Sequence, residues 1–226
     1  MTETGSSRGC ILKLLEQIAE ALETGNRHEM LELCKEALDA GFSAREILDQ
    51  GLLPGMDRVS MKFHSAEGSV PEIMLSSRAM NEGVELLRPY ILSDRGKVHG
   101  RVCIGTVQGD LHDIGKNIVA MVLESEGFEV VDLGVDVSPQ TYVETAVREN
   151  CDIICCSALL TTTMPVMEEV VKAVRRAGVQ DRIKVMIGGA PVSGAYAKAI
   201  SADGYSVNAT SAGRVALELL LKIRNG

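Results

Sequence analysis

Apolar side chains recur at intervals of three and four early in the chain. Ile11, Leu14, Leu15, Ile18 and Leu22 form one stripe between Cys10 and Leu22, which predicts an amphipathic helix. Gly25 stops it, and Asn26 can cap a second helix carrying Met30, Leu33 and Leu38 as far as Gly41. Ser43-Ala44-Arg45-Glu46 has the spacing of a capping box and opens a short third helix. A fourth carries Met56, Val59 and Phe63. Pro71 suits the first turn of a fifth, which presents Ile73, Met74, Ala79, Met80, Val84 and Leu87 and is expected to stop near Pro89. Residues 1–92 thus read as a helical bundle, with the small, polar residues 1–9 as a frayed tail.

After a polar linker at 93–99 the period changes. Short β-rich runs at Val102–Val107, Glu129–Leu133, Asp152–Ser157 and Lys184–Ile187, with a weak one at Gly204–Val207, alternate with helical patterns. The helices are expected at Lys116–Glu126, Pro139–Glu149, Met164–Ala177, Ser193–Ala202 and Ser211–Ile223. Strict alternation implies a five-stranded parallel sheet with right-handed crossovers and helices on both faces. The fold class is therefore α/β, a flavodoxin/Rossmann-like domain at 100–226 behind a helical unit.

Composition narrows the function. Lys plus Arg number 23 and Asp plus Glu 31, so the formal charge is −8. That balance, without a basic stripe, disfavours nucleic acid and anionic membrane, both of which need clustered cations. Aromatic residues make up 3% and tryptophan is absent, leaving little for a base-stacking platform. No run approaches the ~18 apolar residues of a membrane span. The first residues lack the apolar core of a secretory signal, which points to a cytoplasmic protein. The six cysteines, Cys10, Cys34, Cys103, Cys151, Cys155 and Cys156, show no C-x-x-C spacing and read as small core residues in a reducing compartment.

In a doubly wound sheet, ligands bind beyond the carboxyl ends of the strands where the strand order switches. The ends of the first, third and fourth strands carry Gly109-Asp110-Leu111-His112-Asp113-Ile114-Gly115, then Ser157-Ala158-Leu159-Leu160-Thr161-Thr162-Thr163, then Gly188-Gly189-Ala190-Pro191. Asp110 and His112 are close enough for a carboxylate to hold one imidazole nitrogen, which makes the other a better metal donor. A hydroxyl at Ser157 can complete a proton relay, and the paired glycines permit close approach of a flat or elongated ligand. Zinc is disfavoured, because His28, His64 and His99 are scattered and no second ligand stands at i+3 or i+4. Ser157 follows Cys155-Cys156 rather than a nucleophile elbow, which disfavours a hydrolase. A phospho-receiver domain needs a lysine after the last strand, and Gly204–Ala209 has none. A flavin would lack aromatic residues to stack on.

The order D-x-H-x-x-G, 41 residues, S-x-L, 28 residues, G-G resembles the cobalamin-binding signature of corrinoid-dependent methyltransferases. Gly-Asp-Leu-His-Asp-Ile-Gly-Lys-Asn-Ile is similar to the corresponding string of cobalamin-dependent methionine synthase and of small methanogen and acetogen corrinoid proteins. Val70-Pro71-Glu72-Ile73-Met74-Leu75-Ser76-Ser77-Arg78-Ala79-Met80 resembles the family's cap helix, so the likeness spans nearly the whole chain. It implies the corrinoid subunits serving methylamine, methanol, betaine or aryl methyl ethers.

This resemblance implies a cobalamin (corrinoid) cofactor, held base-off/His-on and carrying its methyl group as methylcobalamin. His112 would be the lower ligand of cobalt, Asp110 would hydrogen-bond it, and Ser157 would extend a relay that takes up a proton when the histidine lets go. Gly109, Asp110, Leu111, His112, Asp113, Ile114, Gly115, Ser157, Leu159, Thr161, Gly188, Gly189 and Ala190 would contact the cofactor, the nucleotide tail passing Ser157, Leu159, Gly188 and Gly189. The implied function is methyl carriage by a subunit that is not an enzyme by itself. Its partners would be a substrate-specific methyltransferase, an acceptor methyltransferase working on a thiol or folate, and a reductive activase. Alternatives are a cobalamin-dependent sensor or regulator, which would want a basic DNA-reading helix, and an adenosylcobalamin mutase small subunit, which would want a barrel partner. Met56, Met61 and Phe63 are candidates to shield the methyl face, while His64 and Glu67 read best as solvated loop residues. Thr161-Thr162-Thr163 fits a tail contact and a helix cap equally.

Overall fold

The computed structural model describes residues 4–65, 69–92 and 99–225, with backbone alone for 4–12 and 63–64. The chain divides into two compact units, Met1–Ser93 and Asp94–Gly226.

The first unit is helical: α1 (Thr4–Glu23), α2 (Arg27–Asp39), α3 (Ala44–Ile47), α4 (Leu53–His64) and α5 (Val70–Leu92). Helix α1 starts at Thr4 rather than at Cys10, since a helix nucleated on its apolar stripe extends through polar residues at little cost. Asn26 caps α2 by accepting from the Glu29 amide, and Ser43 with Glu46 forms the reciprocal capping box. Between α3 and α4 the helix continues through a π turn, Leu48–Leu52, instead of breaking. Pro54 follows one residue later; it lacks the N–H that would close the ladder there, and a wider turn accommodates the gap. Gly51 and Gly55 let this segment approach α1 closely: a Cβ on Gly55 would lie 2.7 Å from the Ala19 carbonyl oxygen. Helix α5 passes through Pro89 to Leu92, because a proline in the final turn removes only one ladder bond. Ile18, Leu22, Met30, Leu52, Met80 and Leu87 fill the interior.

The second unit runs β1 (Gly100–Thr106), α6 (Ile114–Ser125), β2 (Phe128–Asp132), α7 (Pro139–Arg148), β3 (Ile153–Ser157), α8 (Pro165–Arg176), β4 (Lys184–Gly188), α9 (Gly194–Ala199), β5 (Gly204–Ser206) and α10 (Ala209–Asn225). All four strand pairings are parallel, in the order β2-β1-β3-β4-β5. This is the expected flavodoxin-like sheet. Side-chain alternation builds two cores. Cys103, Ile154, Cys156, Val185 and Ile187 pack on one face with Tyr142, Met167 and Val170. Val102, Ile104, Ile153, Cys155 and Met186 pack on the other with Leu123 of α6 and Ala216 and Leu219 of α10. Cys34, Cys103, Cys151, Cys155 and Cys156 are buried free thiols. Burial pushes the Cys34 thiol up to about 12, so it behaves as an inert core group.

The sheet register places the ends of β1, β3 and β4 side by side, with Thr106 opposite Ser157 and Ser157 opposite Gly188. The strand order reverses between β1 and β3, and the unusual loops stand there.

Candidate functional site

The loop after β1 turns on Gly109, whose φ of +85° suits glycine and whose amide donates to Asp136 Oδ1 at 2.7 Å. Asp136 holds a left-handed φ of 56° and donates its amide to the Asp110 carbonyl, so the β2–α7 loop braces this turn. Thr106 Oγ1 donates to the His112 carbonyl at 2.7 Å. The loop is therefore held by its backbone on both sides before any side chain of the site is considered.

Asp110 and His112 meet as their spacing predicts. His112 Nδ1 lies 2.5 Å from Asp110 Oδ1, and the His112 amide donates to the same oxygen at 3.1 Å. The Asp110 side chain is fully buried, while that of His112 is 52% exposed. Burial alone would push the Asp110 carboxyl up; hydrogen bonds from His112 and from the Leu159 and Leu160 amides outweigh it and hold the carboxyl at about 2. An ionised carboxylate on Nδ1 keeps the proton there, which leaves Nε2 with its lone pair and without a hydrogen-bond partner among the described residues.

The hydroxyl bonded to Asp110 is not that of Ser157. Asp110 Oδ2 accepts from the Leu159 amide at 2.8 Å, the Leu160 amide at 3.2 Å and Thr163 Oγ1 at 3.0 Å. Ser157 Oγ bonds neither Asp110 nor His112. Strand alternation explains this. Ser157 shares a face with Cys155, on the side covered by α6 and α10, whereas Thr163 leads into α8 on the opposite side. Ser157 instead flanks Gly188, where a Cβ would stand 3.0 Å from Ser206 Oγ.

The remaining candidates separate into groups. Leu111, next to His112 in the chain, and Leu159 and Leu160, whose amides bond Asp110, expose apolar side chains (72%, 45% and 40%). Asp113 is the N-cap residue of α6, without a side-chain cap bond, and Ile114 is the first helical residue. Thr161 and Ala190 are exposed in the turns after β3 and β4. Thr161 does not cap α8, whose N-cap position is Met164. Gly189 answers first to the protein's own packing: its φ is +131°, and a Cβ would lie 1.9 Å from the Ala158 carbonyl oxygen.

Three residues escaped the sequence reading. Thr163 was one of three adjacent threonines, with nothing to single it out. Lys116 follows Gly115 in the motif and is 2% exposed; its ammonium bonds both Asp132 oxygens at 2.6 and 2.7 Å, tying α6 to the end of β2. Asp136 acts through a backbone conformation that leaves no sequence signal. The His64 side chain, the Phe63 side chain and Glu67 lie outside the described residues.

Several observations fit a corrinoid. Among the described residues no group of three His, Cys, Asp or Glu side chains could cage a bare metal ion. A lone imidazole with a free Nε2 suits a metal that brings most of its own ligands. Gly115 sits in helix α6 with nothing within 4 Å of its Cβ position, so the fold does not require glycine there. A side chain would occupy the space next to the histidine loop. The exposed leucines Leu111, Leu159 and Leu160 add apolar surface to the loops that hold the Asp110–His112 pair.

Fold and site together define a doubly wound α/β protein that presents one imidazole at its topological switch point. Comparison with known proteins agrees. Residues 100–220 match a B12 binding domain family, and residues 14–88 match a second family of the same description. Dimethylamine corrinoid protein 3 of Methanosarcina acetivorans is 39% identical over 92% of this chain and 97% of its own length. The structure of the Methanosarcina barkeri monomethylamine corrinoid protein superposes with a TM-score of 0.87 at 37% identity, covering 92% of this chain and 98% of that one. A chain of the methanol:cobalamin methyltransferase complex of Methanosarcina barkeri gives 0.52 at 30% identity, over 92% and 80%. The chain belongs to the corrinoid proteins of cobalamin-dependent methyltransferase systems, and its cofactor is a corrinoid.

Proposed function

We propose that this protein is the methyl-carrying corrinoid subunit of a methyltransferase system whose donor is a methylated amine, with His112 as the protein ligand of cobalt. The observation that carries the residue assignment is the Asp110–His112 pair, which leaves Nε2 free at the switch point. When bound, the corrinoid supplies a cobalt able to accept and release a methyl group. Asp110 fixes the imidazole tautomer and balances the charge when Nε2 takes up a proton instead of ligating metal. Leu111, Leu159 and Leu160 give the corrin an apolar seat, and Gly115 keeps α6 from filling it. Ser157 and Gly188, on the face covered by α6 and α10, suit the nucleotide tail in the base-off state.

The donor class rests on the relatives, which are named for dimethylamine and monomethylamine. The protein is catalytically incomplete alone; the methanol:cobalamin methyltransferase complex supports one methyltransferase partner. An acceptor methyltransferase and a reductive activase complete the proposal. A regulator or mutase subunit is disfavoured, since the corrinoid-protein relatives match over 92% of this chain and 97–98% of their own length. The proposed role of the helical unit is a cap for the methyl-bearing face. Of its shielding candidates, Met61 is 71% exposed and Met56 half-buried. Among the described residues no helix is long and apolar enough to cross a membrane.

The test is recovery of partner methyltransferases on the holoprotein from native lysate, followed by a screen with labelled mono-, di- and trimethylamine and methanol. Label from one amine is expected to reside on this protein. Transfer from none of the amines contradicts the proposal.

A further inference from the structure

Among the described residues three that are not glycine hold a left-handed backbone: Asp136, Asn150 and Ser201, at φ of 56°, 53° and 57°. Asn150 and Ser201 stand just past the C-caps of α7 and α9, where that conformation commonly ends a helix. Asp136 ends no helix; it lies in the loop between β2 and α7. A left-handed backbone is disfavoured for a residue with a Cβ, so the bonds made there must offset it.

Those bonds form a two-sided clip on the histidine loop. Asp136 Oδ1 accepts the Gly109 amide at 2.7 Å, and the Asp136 amide donates to the Asp110 carbonyl at 3.1 Å. The clip stands on fixed supports. On one side of it the Gly134 carbonyl accepts the Thr106 amide, and on the other the Val137 amide donates to the Thr106 carbonyl, both at 3.0 Å. The Gly134 amide also donates to Asp132 Oδ1 at 2.8 Å, and Asp132 is held by the buried Lys116 ammonium. Loop 132–137 is therefore anchored to β1 and α6, and the Gly109–Asp110 segment takes its place from it. Asp110 carries the carboxylate that meets His112 Nδ1, so a shift of this backbone reaches the imidazole through one contact.

We infer that Asp136 is a positioning residue of this site, fixing the backbone from which Asp110 reaches His112 and so the direction in which Nε2 is presented. The inference rests on His112 being the cobalt ligand.

The test uses the full-length holoprotein reduced to cobalt(II), reading the ratio of histidine-ligated to histidine-free cobalt from nitrogen splitting in the spin-resonance spectrum. Three variants divide the features of Asp136. Asp136→Gly keeps the left-handed backbone but removes the acceptor, and is expected to lower the ratio about fivefold, the worth of one net hydrogen bond. Asp136→Ala removes both and is expected to lower it at least as far. Asp136→Asn keeps an acceptor and tolerates the backbone, and is expected to stay within about twofold of wild type. A wild-type ratio in Asp136→Gly overturns the inference, whether or not Asp136→Ala has lost ligation or failed to fold. A loss in Asp136→Asn equal to that in Asp136→Gly overturns it as well. His112→Ala separates the two readings. Splitting that survives His112→Ala sinks the ligand assignment itself, whereas splitting lost there and kept in Asp136→Gly sinks only the role of Asp136.

Discussion

At Gly189 a Cβ would stand 1.9 Å from a backbone oxygen on a φ of +131°, while at Gly115 it would meet nothing within 4 Å. The fold requires the first glycine and not the second, which the proposed function assigns to the ligand, so the same substitution separates them. Gly189→Ala is expected to destabilise the cofactor-free protein by roughly 3 kcal/mol, the scale of forced backbone strain. Gly115→Ala is expected to leave it unchanged or up to about 1 kcal/mol more stable, since alanine outranks glycine inside a helix. Gly115→Ala should nevertheless weaken corrinoid binding. Chemical denaturation and cobalamin titration measure the two effects. Asp110 adds a pH dependence. Its folded carboxyl is held at about 2, below its ordinary 3.8. The group contributes stability fully above the unfolded value, and that contribution is lost as pH falls from about 4 to about 2. In the cofactor-free protein this amounts to roughly 2 kcal/mol, and Asp110→Asn is expected to remove that part of the slope in urea titrations across the range.

At the scale of elements, capping residues decide where helices begin. Ser43 and Glu46 bond reciprocally, with Ser43 N to Glu46 Oε2 at 2.9 Å and Glu46 N to Ser43 Oγ at 3.2 Å. Ser43→Ala is expected to cost about 1 kcal/mol, visible as a lowered thermal midpoint. Such signals are local, which is why Asn26 and Ser43 were legible as helix starts. The π turn at Leu48–Leu52 and the passage of α5 through Pro89 were not, because neighbouring helices set how much irregularity a helix tolerates. The strand ends show the same division. Sequence spacing placed Ser157 at the tip of β3, but which face its hydroxyl takes follows from strand alternation and sheet register. That missing information transferred the Asp110 contact to Thr163.

For the whole molecule, the second unit has a core on each face of its sheet, and those cores draw on residues of that unit alone. A fragment spanning 94–226 is therefore expected to unfold cooperatively by itself and to bind corrinoid; a fragment that stays unfolded contradicts this. The matches over both units agree with a corrinoid carrier. The central claim is that one imidazole, His112, ligates cobalt. The most direct measurement is the cobalt(II) spin-resonance spectrum of the reconstituted protein, with histidine labelled with nitrogen-15. The expected result is a splitting pattern that changes with the label and vanishes in His112→Ala. A spectrum insensitive to the label, or unchanged in that variant, would contradict the account.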